Sequence, residues 1–213
     1  MNNYLVNDNI EDVYRLMPLQ KGMFFHNEID NRSYILQKVL VVNGKPDIEL
    51  LKKAIELLTL RYEVFRTSFL KSDDIYQVVY KKKNVDFSFK KISEKSEIYK
   101  EADLILEHGI DLENDSLMKT VLFSLNDEEY FILFSVHHII IDGWSIGLVL
   151  KSLEYYYKQL IDGVPLEELI DEIDFEKEVS ATYGDFISYV DGIDHDEALQ
   201  YCELPPIKHH KNI

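Results

Sequence analysis

The run YFILFSVHHIIIDGWS, Tyr130 to Ser145, places two adjacent histidines at the end of an uninterrupted apolar stretch. YFILFSV reads as a buried strand. Upstream, MKTVLFSL and EYFILFSV flank Asn126-Asp127-Glu128, which predicts an antiparallel hairpin. Downstream, Ile146, Val149, Leu150, Leu153, Tyr157 and Leu160 recur at helical spacing. Asp162-Gly163-Val164-Pro165 ends that helix. A strand, a loop with two imidazoles and a helix therefore follow one another.

Working outward, Pro18 predicts the first position of a helix through LQKGMFFHNE. SYILQKVLVVNG reads as a strand closed by Asn43-Gly44. Leu51, Ala54, Ile55 and Leu58 give one face of a helix that starts near Pro46-Asp47. VFRTSFL, IYQVVY and VDFSFKKI read as strands, and Ser93 as the cap of a helix over 94–108. The acidic segment Glu167 to Glu178 reads as a solvated connector. Shorter helices follow through YGDFISYVD and DEALQYCEL, then a polar tail. This order predicts an α/β fold, an α+β two-layer sandwich with a mixed sheet flanked by helices.

The 213 residues suit one domain or one lobe of something larger. A formal charge of −16 repels nucleic-acid phosphates and anionic membranes, so neither is expected as a partner. A single cysteine, Cys202, excludes an internal disulfide framework. No signal pattern and no membrane-spanning apolar run is read, and the expected location is cytoplasmic. Lys81-Lys82-Lys83 with Lys90 and Lys91 reads as a solvated strand end, and His26 and His108 as helix-surface residues.

Histidine titrates nearest neutrality and suits proton transfer. His137 and His138 read either as a buried hydrogen-bonded residue beside a loop residue, or as a pair carrying chemistry. Asp142, if near the core, needs a cation, and Arg66 or Arg61 is the expected partner. Gly143 suggests a backbone conformation or approach that a Cβ would block. Ser145 is placed to cap the following helix. No third ligand stands at metal spacing, so no metal is expected. A serine triad lacks its G-x-S-x-G elbow.

His137-His138-Ile-Ile-Ile-Asp142-Gly143 resembles the HHxxxDG motif of nonribosomal peptide synthetase condensation domains, a superfamily that includes chloramphenicol acetyltransferase. LMPLQKGMFFH, Leu16 to His26, is similar to the family's first motif, LTPxQxGMLFH. RYEVFRTSF, Arg61 to Phe69, is similar to the second, RHExLRTxF, with Tyr62 in place of His. TYGDFISYV, from Thr182, is a looser match to YxDYxxW, with Tyr189 where Trp is common. Trp144 before Ser145 follows the condensation order, whereas epimerisation domains read DGxSW. The LTPxQxGM form is more usual where the donor is D-configured.

The resemblance implies a chloramphenicol acetyltransferase-like lobe that joins two carrier-bound acyl groups through an amide bond. His138 is then catalytic, as a general base or a group that positions the amine. His137 and Asp142 are structural, with Arg66 and then Arg61 as the aspartate's partner. Gly143, Trp144 and Ser145 complete the loop. No cofactor is expected to bind directly; substrates would arrive on phosphopantetheine arms of peptidyl or aminoacyl carrier proteins, beside other synthetase domains. The expected organisation is an N-terminal lobe over 1–165, then a connector, short helices and tail over 166–213, without the family's C-terminal lobe. Three readings follow: half of a condensation enzyme, a self-associating acyltransferase, or a non-catalytic module docking a carrier or synthetase component.

Overall fold

The computed structural model describes residues 8–192. Its elements are β1 (Ile10–Arg15), α1 (Pro18–Ile29), β2 (Ile35–Val42), α2 (Ile48–Arg61), a 3-10 turn (Glu63–Arg66), β3 (Thr67–Lys71), β4 (Ile75–Tyr80) and β5 (Asp86–Lys91). There follow α3 (Ser96–His108), β6 (Met118–Ser124), β7 (Tyr130–His137), α4 (Gly143–Ile161), α5 (Leu166–Val179) and α6 (Tyr183–Asp191). Two compact units divide after Ser180. Unit one carries two sheets, of order β2-β7-β6-β5 and β1-β4-β3. The larger sheet is mixed: β5 runs parallel to β6, while β7 is antiparallel to both β6 and β2.

Every residue of β7 is buried, because this strand has sheet on both edges and helices on both faces. Successive strand residues face opposite ways. Tyr130, Ile132, Phe134 and Val136 pack with Leu51, Ala54, Ile55 and Leu58 of α2 and Val149, Leu153, Tyr156 and Leu160 of α4. Phe131 and Leu133 pack with Ile98, Ala102 and Ile105 of α3. A third cluster joins Leu16 and Phe24, at and within α1, to Phe69 and Ile75 of the smaller sheet and to Ile139 just past β7. The strand that ends in the two histidines is thus clamped from three sides. The expected α/β class, with helices flanking a mixed sheet, holds.

Several local expectations change. IEDVYR forms edge strand β1 against β4, although its acids conceal the pattern: Glu11, Asp12 and Val13 are exposed. VFRTSFL enters as a 3-10 turn and extends only from Thr67. Ser93 does not cap α3; instead the Glu97 carboxylate accepts from the Ser93 and Glu94 amides, at 2.7 and 3.1 Å. The acidic 167–178 stretch is no solvated connector. It forms α5, whose Leu169 and Ile173 are buried in the α2–α4 core while Glu167, Glu168, Asp171, Asp174 and Glu178 are exposed. In the second unit Thr182 caps α6 through a reciprocal pair with Asp185. DEALQYCEL, Cys202 and the IKHHKNI tail lie outside the described residues. Among the described residues no helix is long and apolar enough to cross a membrane.

Candidate active site

The register of β7 separates the two histidines. His137 is its last residue and lies fully buried. Its Nδ1 accepts the Ile139 amide at 3.1 Å, its Nε2 lies 3.3 Å from the Asn27 side-chain amide on α1, and the Ser33 carbonyl accepts from its ring. Burial first, and then the neighbouring His138, push the His137 imidazole down to about 4, against the Ser33 hydrogen bond. At neutral pH this ring is uncharged: with Nδ1 accepting from Ile139, its one proton sits on Nε2, beside Asn27 of α1.

His138 stands one residue beyond the strand and is half-buried. Its backbone N–H donates to the Tyr34 carbonyl at 2.8 Å, and its own carbonyl accepts from Ile141. Among the described residues its imidazole makes no hydrogen bond. One histidine of the pair is therefore spent on structure, and the other is held by its backbone with its ring free.

Asp142 is exposed and N-caps α4, its carboxylate accepting the Ser145 amide at 2.7 Å. Hydrogen bonds from the Ser145 amide and hydroxyl, then from the Trp144 amide, hold its carboxyl below the usual carboxylate range, as does nearby His138. Among the described residues it makes no ion pair, so the expected arginine partnership does not form. The cause is exposure: a hydrated carboxylate with a helix N-terminus to cap needs no buried cation. Ser145 is accordingly the recipient of the cap and not the cap itself.

Arg66, 2% exposed, pairs with Glu11 and also donates to the Tyr80 carbonyl and, at 3.1 Å, to Thr59 O. Arg61 pairs with Glu176 of α5, donates to the Tyr156 hydroxyl at 3.0 Å, and lies over the Tyr62 ring. Both arginines knit the scaffold away from the histidine loop. Gly143 opens α4 with ordinary backbone angles, and a Cβ there would meet nothing within 4 Å. It has no left-handed backbone, and no other part of the described protein approaches it. Trp144 projects into solvent, 92% exposed. Among the described residues no group of three or more His, Cys, Asp or Glu is arranged to hold a metal ion.

Two residues near the pair, Asn27 and Tyr34, escaped the sequence reading. Asn27, buried on α1, reaches His137 and the carbonyls of Asn31 and Ile110. Tyr34 has φ +61°, a left-handed conformation that costs about 1–2 kcal/mol for a residue with a Cβ. Its hydroxyl meets His26 Nδ1 at 2.8 Å, with the two rings stacked at 5.8 Å, and its ring centroid lies 6.4 Å from that of His137. His26 is therefore more than a helix-surface residue. Asn27 directly follows the LMPLQKGMFFH stretch, the one signal that pointed to it.

Comparison with known proteins fits this arrangement. The family described as Condensation domain matches residues 10–184. The chain belongs to the condensation-domain family. It is 34% identical over 204 residues to tyrocidine synthase 3 of Brevibacillus parabrevis, and 33% identical over 204 residues to gramicidin S synthase 2 of Brevibacillus brevis. Those alignments take in 92% and 91% of this chain but only 3% and 4% of the relatives. In fold it is similar to a variant of the starter condensation domain of rhizomide synthetase, with TM-score 0.69 and 17% identity, covering 91% of this chain and 49% of that one. The first condensation domain of the calcium-dependent antibiotic synthetase, in complex with a substrate analogue, gives TM-score 0.66 and 23% identity, over 73% of this chain and 39% of that one. The chain thus spans less than half of the solved condensation domains that it resembles. Within this condensation-domain chain, the α1 motif and the histidine loop meet directly: Gln20 donates to the Ile139 carbonyl at 3.2 Å and Asn27 reaches His137. The Arg61–Phe69 stretch contributes scaffold.

Proposed function

We propose that this chain is the histidine-bearing lobe of a condensation catalyst that forms an amide bond between a carrier-bound donor thioester and a carrier-bound acceptor amine. The observation that carries the reading is the asymmetry of the pair. His137 is buried, neutral and fully hydrogen-bonded, which leaves His138, half-exposed with a free ring on a rigid strand end, to meet a substrate.

In the proposed reaction the acceptor nitrogen attacks the donor carbonyl carbon. A C–N bond forms, the tetrahedral oxyanion collapses, the C–S bond breaks, and the arm departs as a thiol. The proton lost by the amine is taken up by His138 and returned to the departing sulfur, or His138 orients the amine while the proton moves directly to sulfur. The partners are peptidyl or aminoacyl carrier proteins with phosphopantetheine arms, and the chain itself holds no cofactor. Residues 1–165 act as the catalytic lobe, braced by α5 through Leu169 and Ile173, and a second lobe closes the other side. Gly143, with open space before it, and Trp144 border the substrate path.

The test is a condensation assay with loaded donor and acceptor carriers, run with the chain alone and with a C-terminal lobe added, comparing wild type with His138→Ala. Turnover that requires both the second lobe and His138 supports the proposal. Turnover that survives His138→Ala overturns it. Light scattering separates the self-associating form: a stable oligomer, active alone and dependent on His138, would replace the second lobe with a second copy. Carrier binding without turnover under any condition would make the chain a docking module.

A further inference from the structure

Tyr34 is the one non-glycine with positive φ among the described residues. Such strain persists where the surrounding structure over-determines it, and an observed outlier is a reason to look for function. The strain coincides with the site. Ser33 and Tyr34 are consecutive, and their carbonyls hold consecutive histidines: Ser33 O accepts from the His137 ring and Tyr34 O accepts the His138 amide at 2.8 Å. In an extended strand, successive carbonyls point in opposite directions. A left-handed residue at the entry to β2 reorients the chain just where both acceptors are needed.

A glycine would adopt this backbone without strain. Tyrosine stands there instead, and its ring is used: it stacks on His26, hydrogen-bonds to His26 Nδ1, and tilts at 55° against His137. α1, which carries His26 and Asn27, is thereby tied through Tyr34 to the end of β7.

We propose that Tyr34 is a positioning residue for His138: its left-handed backbone aims the carbonyl that fixes the His138 main chain, and its ring, braced by His26, holds that turn against His137. The kinetic part rests on the function proposed above; the structural part does not. In this reading Tyr34 touches no substrate and acts only through where it places the His138 ring.

The test has two arms on the full chain. By NMR, wild type shows a scalar coupling across the hydrogen bond from His138 N–H to Tyr34 C=O. Tyr34→Asn and Tyr34→Gly, which tolerate positive φ but lack the ring, displace the His138 amide signal less than Tyr34→Val, β-branched and disfavoured there. In the condensation assay with a second lobe supplied, Tyr34→Val lowers kcat on the order of a hundredfold with KM little changed, the loss expected when a catalytic group is misplaced by about 1 Å. Tyr34→Asn recovers the backbone share of that loss but not the share of the ring. Absence of the coupling in wild type overturns the proposal even if every variant misfolds. So does a folded Tyr34→Val whose His138 signals match wild type. If the coupling is present but no variant or wild type turns over, the positioning stands and the proposed function fails.

Discussion

The neutral, buried state of His137 makes acid stability the sharpest quantity to measure. In an unfolded chain this imidazole titrates at its ordinary value of 6.5, and in the fold burial lowers it to about 4. Between those values the unfolded state binds a proton that the folded state does not. Unfolding free energy therefore rises with pH across the window, by up to about 1.4 kcal/mol per pH unit. Above pH 6.5 the group contributes nothing, because both states are neutral. As pH falls toward 4 the fold loses stability, with a full loss of about 3 kcal/mol and about 2.5 kcal/mol already felt at pH 4.5. The groups facing the ring are the Asn27 amide, the Ile139 amide, the Ser33 carbonyl, the Tyr34 ring and His138. None is a carboxylate that could offset the proton. Urea unfolding at pH 7.5, 6.5, 5.5 and 4.5 should be compared between wild type and His137→Gln. The protein's many carboxylates titrate in both chains and cancel in the difference. Wild type is expected to lose about 2.5 kcal/mol more than the variant by pH 4.5. Parallel curves would show that His137 is not held neutral by the fold. Should the variant fold poorly, NMR of the His137 ring in wild type answers the same question: a folded-state titration near 6.5 refutes the argument.

Other outcomes follow from the same contacts. Arg66→Met should lower stability by about 3 kcal/mol in chemical denaturation, because it strips the donor from the Thr59 and Tyr80 carbonyls and leaves Glu11 without its cation. Asp142→Ala should lower the melting temperature only slightly, as loss of an exposed helix cap does, and Asp142→Asn should restore it; a collapse of the fold would mean that a buried ion pair exists after all. Gly109→Ala should cost about 2 kcal/mol or more in thermal unfolding, since φ is +74° and the new Cβ would lie 2.3 Å from the Asn31 side chain, which bonds the His108 carbonyl. Gly143→Ala should leave the melting temperature unchanged, with nothing within 4 Å of the added methyl, yet lower turnover in the condensation assay.

The strand and the histidine pair were legible because their signals are local. YFILFSV has no polar position long enough to surface, so burial on both faces follows from composition. The division between His137 and His138 was not legible from spacing, since it depends on which neighbour of the strand lies on each side. It rests on α1, more than a hundred residues earlier in sequence, with Asn27 at 3.3 Å from the ring. The arginines show the same limit. Arg66 found Glu11 because IEDVYR pairs with β4, a strand whose dense acids hid its alternation. In α5, Leu169 and Ile173 stand at the i, i+4 spacing of a buried stripe, but the carboxylates around them outweighed it.

The exposed surface around the loop argues for the second wall. Trp144 and Leu148 stand one turn apart on α4, 92% and 63% exposed, and Leu19 at the start of α1 is 72% exposed. In the proposed reading, a second lobe would cover Trp144 and Leu148. They flank a loop whose histidine is half open, and an imidazole in bulk water offers little beyond what buffer provides. Its advantage as a base or a positioning group requires an oriented amine and excluded water. The Tyr34 carbonyl holds the His138 main chain at the end of β7, and the proposed second lobe would supply the other side. The same covering surface would bury Trp144 and exclude water from His138, so the stability of any complex with a second lobe and its turnover should depend together on Trp144. A Trp144→Ala chain that binds the second lobe as tightly as wild type and condenses at the same rate would separate the two and refute the link.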